Sequence, residues 1–253
     1  MHGIPYDMTV VDRVALIWFL LAWLFYGRLI HGLRRAPSIT TRMGDMRVAW
    51  MHTMLGRDNR IVDASLIGNT MQSATFFAST SMIALAALLG LLGRFDQVFA
   101  AIEDLEFTAK TSRMLLEGKI LLLILVFAHC FLKLTWALRQ MNYCLAMIGA
   151  APLKPGRAMR DEIAQHTGRL LSLAISSFNA GIRGYYFALA ALAWILGPWT
   201  MAAVTTGIVF MLLWRQFGSA TADEIRLSHA AYLGEEPLSS LPVAWPAQAD
   251  PAP

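Results

Sequence analysis

Apolar residues along this chain gather into long unbroken blocks instead of the short alternating or one-faced runs of a soluble domain. The first block, VALIWFLLAWLFYGRLI from Val14 to Ile30, ends near Arg28 and His31, where long side chains reach a polar boundary. No charge occurs from Ala64 to Gly93, and ATFFASTSMIALAALLGLL, from Ala74 to Leu92, fills the roughly 20 residues that a hydrocarbon core requires. A third block, Ile120 to Leu132, lies between Lys119 and Lys133 and continues through LTWAL. The last uncharged stretch, Gly184 to Trp214, holds Gly197-Pro198 near its middle, flanked by Trp194 and Trp199. Tryptophan favours the membrane–water boundary, so the Gly-Pro pair is expected to make a surface turn between two spans. The pattern predicts spans over 14–33, 70–93, 118–138, 178–197 and 199–215; the alternative is four, with the last two merged into one kinked helix.

The expected fold is an all-α integral membrane helical bundle. A composition of 57% hydrophobic and 15% charged residues with a mean hydropathy of +0.50 agrees, because the bilayer then replaces water around most of the surface. Between spans one and two, Met43, Met46, Trp50 and Met54 recur at helical spacing beside Arg42, Arg47, Arg57 and Arg60. This predicts an interfacial amphipathic helix, with core packing as the other use of a methionine stripe. The segment 93–118 carries a second stripe in Val98, Phe99, Ile102, Leu105 and Phe107.

Charge sets the expected orientation. The stretches 32–68 and 139–180 are rich in Arg and Lys, whereas 93–118 has Asp96, Glu103, Asp104, Glu106 and Glu117 against Arg94, Lys110 and Arg113. Basic loops stay in the cytoplasm, which places the N-terminus outside and, after five spans, the C-terminus inside. The acidic flank Asp7 and Asp12 makes the first block an anchor and not a leader peptide. Residues 218–253 read as a cytoplasmic, largely disordered tail rich in Pro and Ala. The expected location is the cytoplasmic membrane of a bacterium.

Three polar groupings stand where polarity is expensive. Asn59, Arg60 and Asp63 lead into span two, which then carries Asn69, Gln72, Ser73, Ser79, Thr80 and Ser81. These residues either line a hydrated path or hydrogen-bond helix to helix. His129 and Lys133 share one face of span three, with Trp136 three residues further on, and fit either a proton relay or a snorkelling lysine beside a packed histidine. Asn179, Arg183, Tyr185 and Tyr186 open span four and fit either an anion or lipid-phosphate site or interfacial anchoring. Asp63 is expected to pair with Arg183.

The chain has no phosphate-cradling glycine loop, no nucleophile elbow, no HExxH and no CxxC. Its two cysteines, Cys130 and Cys144, lie about 21 Å apart along one helix and have neither metal nor disulfide spacing. Only His129 is clearly intramembrane, so a bis-histidine haem is not expected. No cofactor, no metal, no catalytic site and no nucleic-acid partner are expected. The partners are the lipid bilayer and a membrane protein or second copy of the chain.

Two stretches, NRIVDASLIGNTMQSATFFASTSM (Asn59 to Met82) and GIRGYYFALAALAWILGPW (Gly181 to Trp199), resemble the signature segments of the domain of unknown function 599 family. The resemblance implies a multi-spanning membrane protein and lends no chemistry. The reading is a non-catalytic structural or assembly component, with a small channel or transporter as the alternative. A channel would require a wet cavity lined by Gln72, Ser79, His129 and Tyr186.

Overall fold

The computed structural model describes residues 8–32, 38–103 and 112–233. Every regular element among them is a helix: α1 (Val10–Gly32), α2 (Ile39–Met54), α3 (Ile61–Gly93), α4 (Phe95–Glu103), α5 (Arg113–Ala150), α6 (Arg157–Ala193), α7 (Pro198–Phe217) and α8 (Ala220–Leu233). The fold is thus the all-α bundle. Four segments are long and apolar enough to cross a membrane: Val10–Gly27, Ile61–Gly93, Arg113–Ala150 and Pro198–Tyr232, the last broken at Gly218-Ser219 between α7 and α8. α6 is not among them, because its apolar second half follows a polar first half and contains Asn179 and Arg183.

The uncharged stretch does divide at Gly197-Pro198. Gly197 has φ 143°, which a side chain would strain, and Pro198 starts α7 where a missing N–H costs nothing. Trp194 is buried at the end of α6, beside the turn, and it donates from Nε1 to Asp12 Oδ1 at 2.9 Å. A buried indole requires an acceptor, and the first turn of α1 provides one.

α5 and α6 are antiparallel and closely packed along most of their length. Gly184 faces Cys130 so closely that a methyl group on it would overlap the cysteine sulfur. Ser81 and Tyr185 then fasten α3 to α6: Tyr185 donates to the Phe77 carbonyl at 2.5 Å, and its oxygen lies 2.8 Å from Ser81 Oγ.

Two main cores result. One joins α1, the first half of α5, the second half of α6 and α7 around Phe19, Val126, Cys130, Phe187 and Met201. The other joins α2, the start of α3, the end of α5 and the start of α6 around Met51, Met54, Ile67, Met141 and Leu171. Of the stripe, Met54 is core and Trp50 packs against it, joined by Met51, while Met43 and Met46 are only partly buried; α2 packs along α6. The region 139–180, read from sequence as a basic loop, is helical except for 151–156, because α5 runs on to Ala150 and α6 starts at Arg157. Its apolar residues bury one another and so extend the bundle beyond the apolar blocks.

Residues 220–233, expected to begin a disordered tail, form α8, which packs on α2 with His229 Nε2 3.1 Å from Asp45 Oδ2. Residues 234–253 lie outside the described residues. In the segment 93–118, α4 packs Phe95 and Phe99 on Leu116 and Ile120. Leu105 and Phe107 lie outside the described residues.

Gly184→Ala should lower stability by about 1–3 kcal/mol through overpacking against Cys130. Thermal unfolding in detergent should show Cys130→Ala restoring part of that loss in the double variant. Equal melting temperatures for wild type and Gly184→Ala would contradict this packing.

Candidate functional site

The sequence NRIVD at the start of α3 resolves into a structural knot. Asn59 Oδ1 accepts from the Ile61 N–H at 2.9 Å and so braces the turn that leads into α3. Arg60 reaches the end of α5, where Nη1 donates to the carbonyls of Ile148 (3.1 Å) and Ala151 (2.6 Å), and Nη2 donates to that of Pro152 (2.9 Å). A guanidinium there satisfies carbonyls that no helical N–H can reach and complements the negative end of the helix. Asp63, fully buried, accepts from Arg57 Nη1 at 2.6 Å and Trp50 Nε1 at 2.7 Å. These bonds tie α2, the α2–α3 turn and α3 together. Near the same α2–α6 contact, Arg47 lies 3.5 Å from Ser172 Oγ, and burial lowers its pKa below the ordinary arginine value.

The expected Arg183–Asp63 pair does not form. Asp63 lies level with the end of α5, whereas Arg183 faces α1, where its Cζ sits 5.5 Å from the centre of the Tyr26 ring. Asp63 is held instead by Arg57 and Trp50, its neighbours across the α2–α3 turn.

The polar residues further along α3 also diverge. Asn69, Gln72, Ser73 and Ser79 are exposed on its outer face; Thr80 is half-buried and bonds back to the Phe76 carbonyl at 2.9 Å. His129 packs edge-on to Trp23, with ring centres 5.2 Å apart, and lies within electrostatic reach of Lys133 and Arg183. Lys133 is half-buried, while Trp136 points outward. Gln72, Ser79, His129 and Tyr186 therefore do not share one cavity.

The structure does assemble the third grouping. A cavity of about 650 Å³ opens where α1, α2, α6, α7 and α8 meet, lined by Asn179, Arg183 and Tyr186 of α6, Tyr26 of α1, Thr40 of α2, and Arg215 and Gln216 of α7. Arg183 is half-buried and Arg215 is at the rim, where Nη1 donates to Tyr186 Oη at 3.2 Å. Both arginines act electrostatically on the Tyr26 hydroxyl. Among the described residues lining the cavity there is no Asp or Glu, and neither arginine forms an ion pair there. Gln216 Nε2 donates to Thr40 Oγ1 at 3.0 Å and closes one edge. Neither Arg215, which ends the predicted span 199–215, nor Tyr26, inside the block Val14 to Ile30, was among the candidate residues read from sequence.

At the opposite end of the bundle, Asp12 is buried with Trp194, and the Lys119 Nζ sits 5.6 Å from the Trp194 ring centre. Thr9 donates to Asp12 through Oγ1 at 2.6 Å. This closed arrangement ties α1 to the α6–α7 turn. Among the described residues, no group of three His, Cys, Asp or Glu is placed to hold a metal ion.

In comparison with known proteins, the family model described as "Protein of unknown function, DUF599" matches residues 14–221. No curated protein and no solved structure matches the chain.

Arg57→Ala should cost about 3 kcal/mol or more, since it leaves a buried carboxylate with the Trp50 indole as its remaining partner. Asp63→Asn should cost less than Arg57→Ala, because the amide keeps an acceptor oxygen without a charge. Unfolding midpoints in the reverse order would contradict the knot.

Proposed function

We propose that this chain, which belongs to the family DUF599, is a non-catalytic membrane bundle that holds an anionic group in the cavity between Arg183 and Arg215. One observation carries the reading: two guanidinium groups from different helices converge on a single cavity, and among the described residues no lining carboxylate balances them. An anion would supply the missing charge, and planar guanidinium forks favour phosphate or carboxylate oxygens. The two tyrosine hydroxyls, Thr40 and Gln216 offer further hydrogen bonds around the same space.

Five crossings support this location. The second half of α6 lies against the crossing part of α5, from Leu134 to Lys119, so it passes through the same layer even though its own hydropathy is lower. Arg215 stands 17 residues after Pro198, about 26 Å along α7, close to the thickness of a hydrocarbon core. These lengths support a cavity at headgroup depth, and the basic segments 32–68 and 139–180 on the same side support the cytoplasmic face. The bilayer is the cytoplasmic membrane of a bacterium. α3 is the least covered of the four segments selected by length and apolarity, and its outer face fits a membrane-protein partner or a second copy.

The dispersal of Gln72, Ser79, His129 and Tyr186 disfavours permeation. Enzymatic chemistry gains nothing either, since His52 and Asp161 form an exposed pair 2.9 Å apart, away from the cavity.

Titration of the detergent-solubilised full chain with glycerol phosphate should give a saturable signal that Arg183→Gln with Arg215→Gln abolishes. Absence of binding to wild type would refute the anion site. A reporter active only in the cytoplasm, fused after Glu236, should be active if five crossings are correct and silent if there are four.

A further inference from the structure

We propose that the anionic group is the phosphate of a glycerophospholipid, whose acyl chain lies in the groove between α1 and α7. The inference rests on the anion reading above and adds the source of the anion. Its basis is a second concavity of about 170 Å³, lined by Trp18, Leu21, Ala22, Phe25 and Tyr26 of α1 and Val209 of α7. Almost every atom facing it is apolar, and it is open along one side.

Tyr26 lines both the groove and the basic cavity, so the two spaces meet at one residue. Leu212 continues the Val209 face of α7 into the cavity one helical turn later. α1 and α7 run in the same direction here, fixed at the far end of the groove by Trp18 Nε1 donating to Thr206 Oγ1 at 3.1 Å. From Trp18 to Tyr26 is eight residues, about 12 Å of wall leading from mid-membrane depth to the arginines.

This is the shape of a lipid and not of a free ion. A soluble phosphate would use Arg183, Arg215 and the tyrosine hydroxyls and leave the groove unused. A phospholipid seats its charge at headgroup depth, where Arg183 and Arg215 stand, and lays a chain against Leu21, Phe25 and Val209, with no water on that side. The hydroxyl of Thr40 and the amide of Gln216, at the cavity edge beside Arg215, are placed for a polar headgroup beyond the phosphate. Charge and depth together select an anionic headgroup over a zwitterionic one, whose cation would face two guanidiniums.

The test uses the full chain in vesicles of unlabelled phosphatidylcholine, with either phosphatidylglycerol or phosphatidylcholine carrying brominated acyl chains at equal mole fraction. Tryptophan quenching reports chain contact, with Trp18 at the groove and the remaining indoles giving a background common to both lipids. The brominated anionic lipid should be preferred by about tenfold in the concentration needed for half-quenching, the factor that ~1.4 kcal/mol of charge-assisted bonding supplies. Arg183→Gln with Arg215→Gln should erase the preference, and Arg183→Lys with Arg215→Lys, which retains the charges, should keep most of it and so report folding. Val209→Phe should fill the groove, removing the preference but leaving glycerol phosphate titration intact. Glycerol phosphate binding without a headgroup preference in quenching would overturn the lipid inference and leave the anion reading standing. Failure of both would overturn both, and a preference that survives the double glutamine variant would place the lipid elsewhere.

Discussion

The close approach of α5 and α6 is the constraint on which the other contacts depend. Because Gly184 leaves no side chain between them, Cys130 and Phe187 can share one core, and the two long helices can run antiparallel from the α4 end of the bundle to the α2 end. α3 packs on this pair through Ser81, Tyr185 and Ile67; α1 and α7 close its other side; α2 covers the part that extends beyond the apolar blocks, and α8 packs on α2. Without that spacing α6 would stand off from α5, and Arg183 would no longer be held over Tyr26 at the edge of the cavity.

The bundle treats its buried charges in two ways. At Asp63 and Asp12 each carboxylate has donors aimed at it, a guanidinium and an indole in the first case, an indole and a hydroxyl in the second. Such groups fix the relative positions of helices, and removing one partner is costly because the other remains in low dielectric. Half-buried Arg183 and rim-placed Arg215 differ: they converge on space with no counter-charge lining it among the described residues. That contrast within one chain motivates reading the cavity as a binding site and the carboxylates as structural.

Much of the architecture was legible from the blocks alone, because a bilayer imposes length and apolarity directly on sequence. The break at Gly197-Pro198 was readable for a different reason, since few other residue pairs both adopt positive φ and start a helix. What lay beyond the blocks was less accessible. The helical parts of 139–180 carry an excess of basic residues, and that charge, useful for orientation, concealed Met141, Cys144 and Leu171 as a core. The partner of Trp194 was not readable either, because aromatic preference at an interface says nothing about a carboxylate 182 residues away in sequence. Among the candidate residues, Asn59, Arg60 and Asp63 proved to be braces and ties, Asn69, Gln72 and Ser79 faced outward, and Arg183 with Tyr186 reached a cavity. Spacing along one helix reveals which residues share a face but not what that face meets, and Arg215 and Tyr26 join the site only through packing.

Native mass spectrometry of the full chain, released from mild detergent, tests the central claim most directly. The account predicts a species carrying the mass of one anionic phospholipid in the wild type, lost when Arg183 and Arg215 are both changed to Gln. Bare wild-type protein, or the same adduct on the doubly substituted chain, would contradict it.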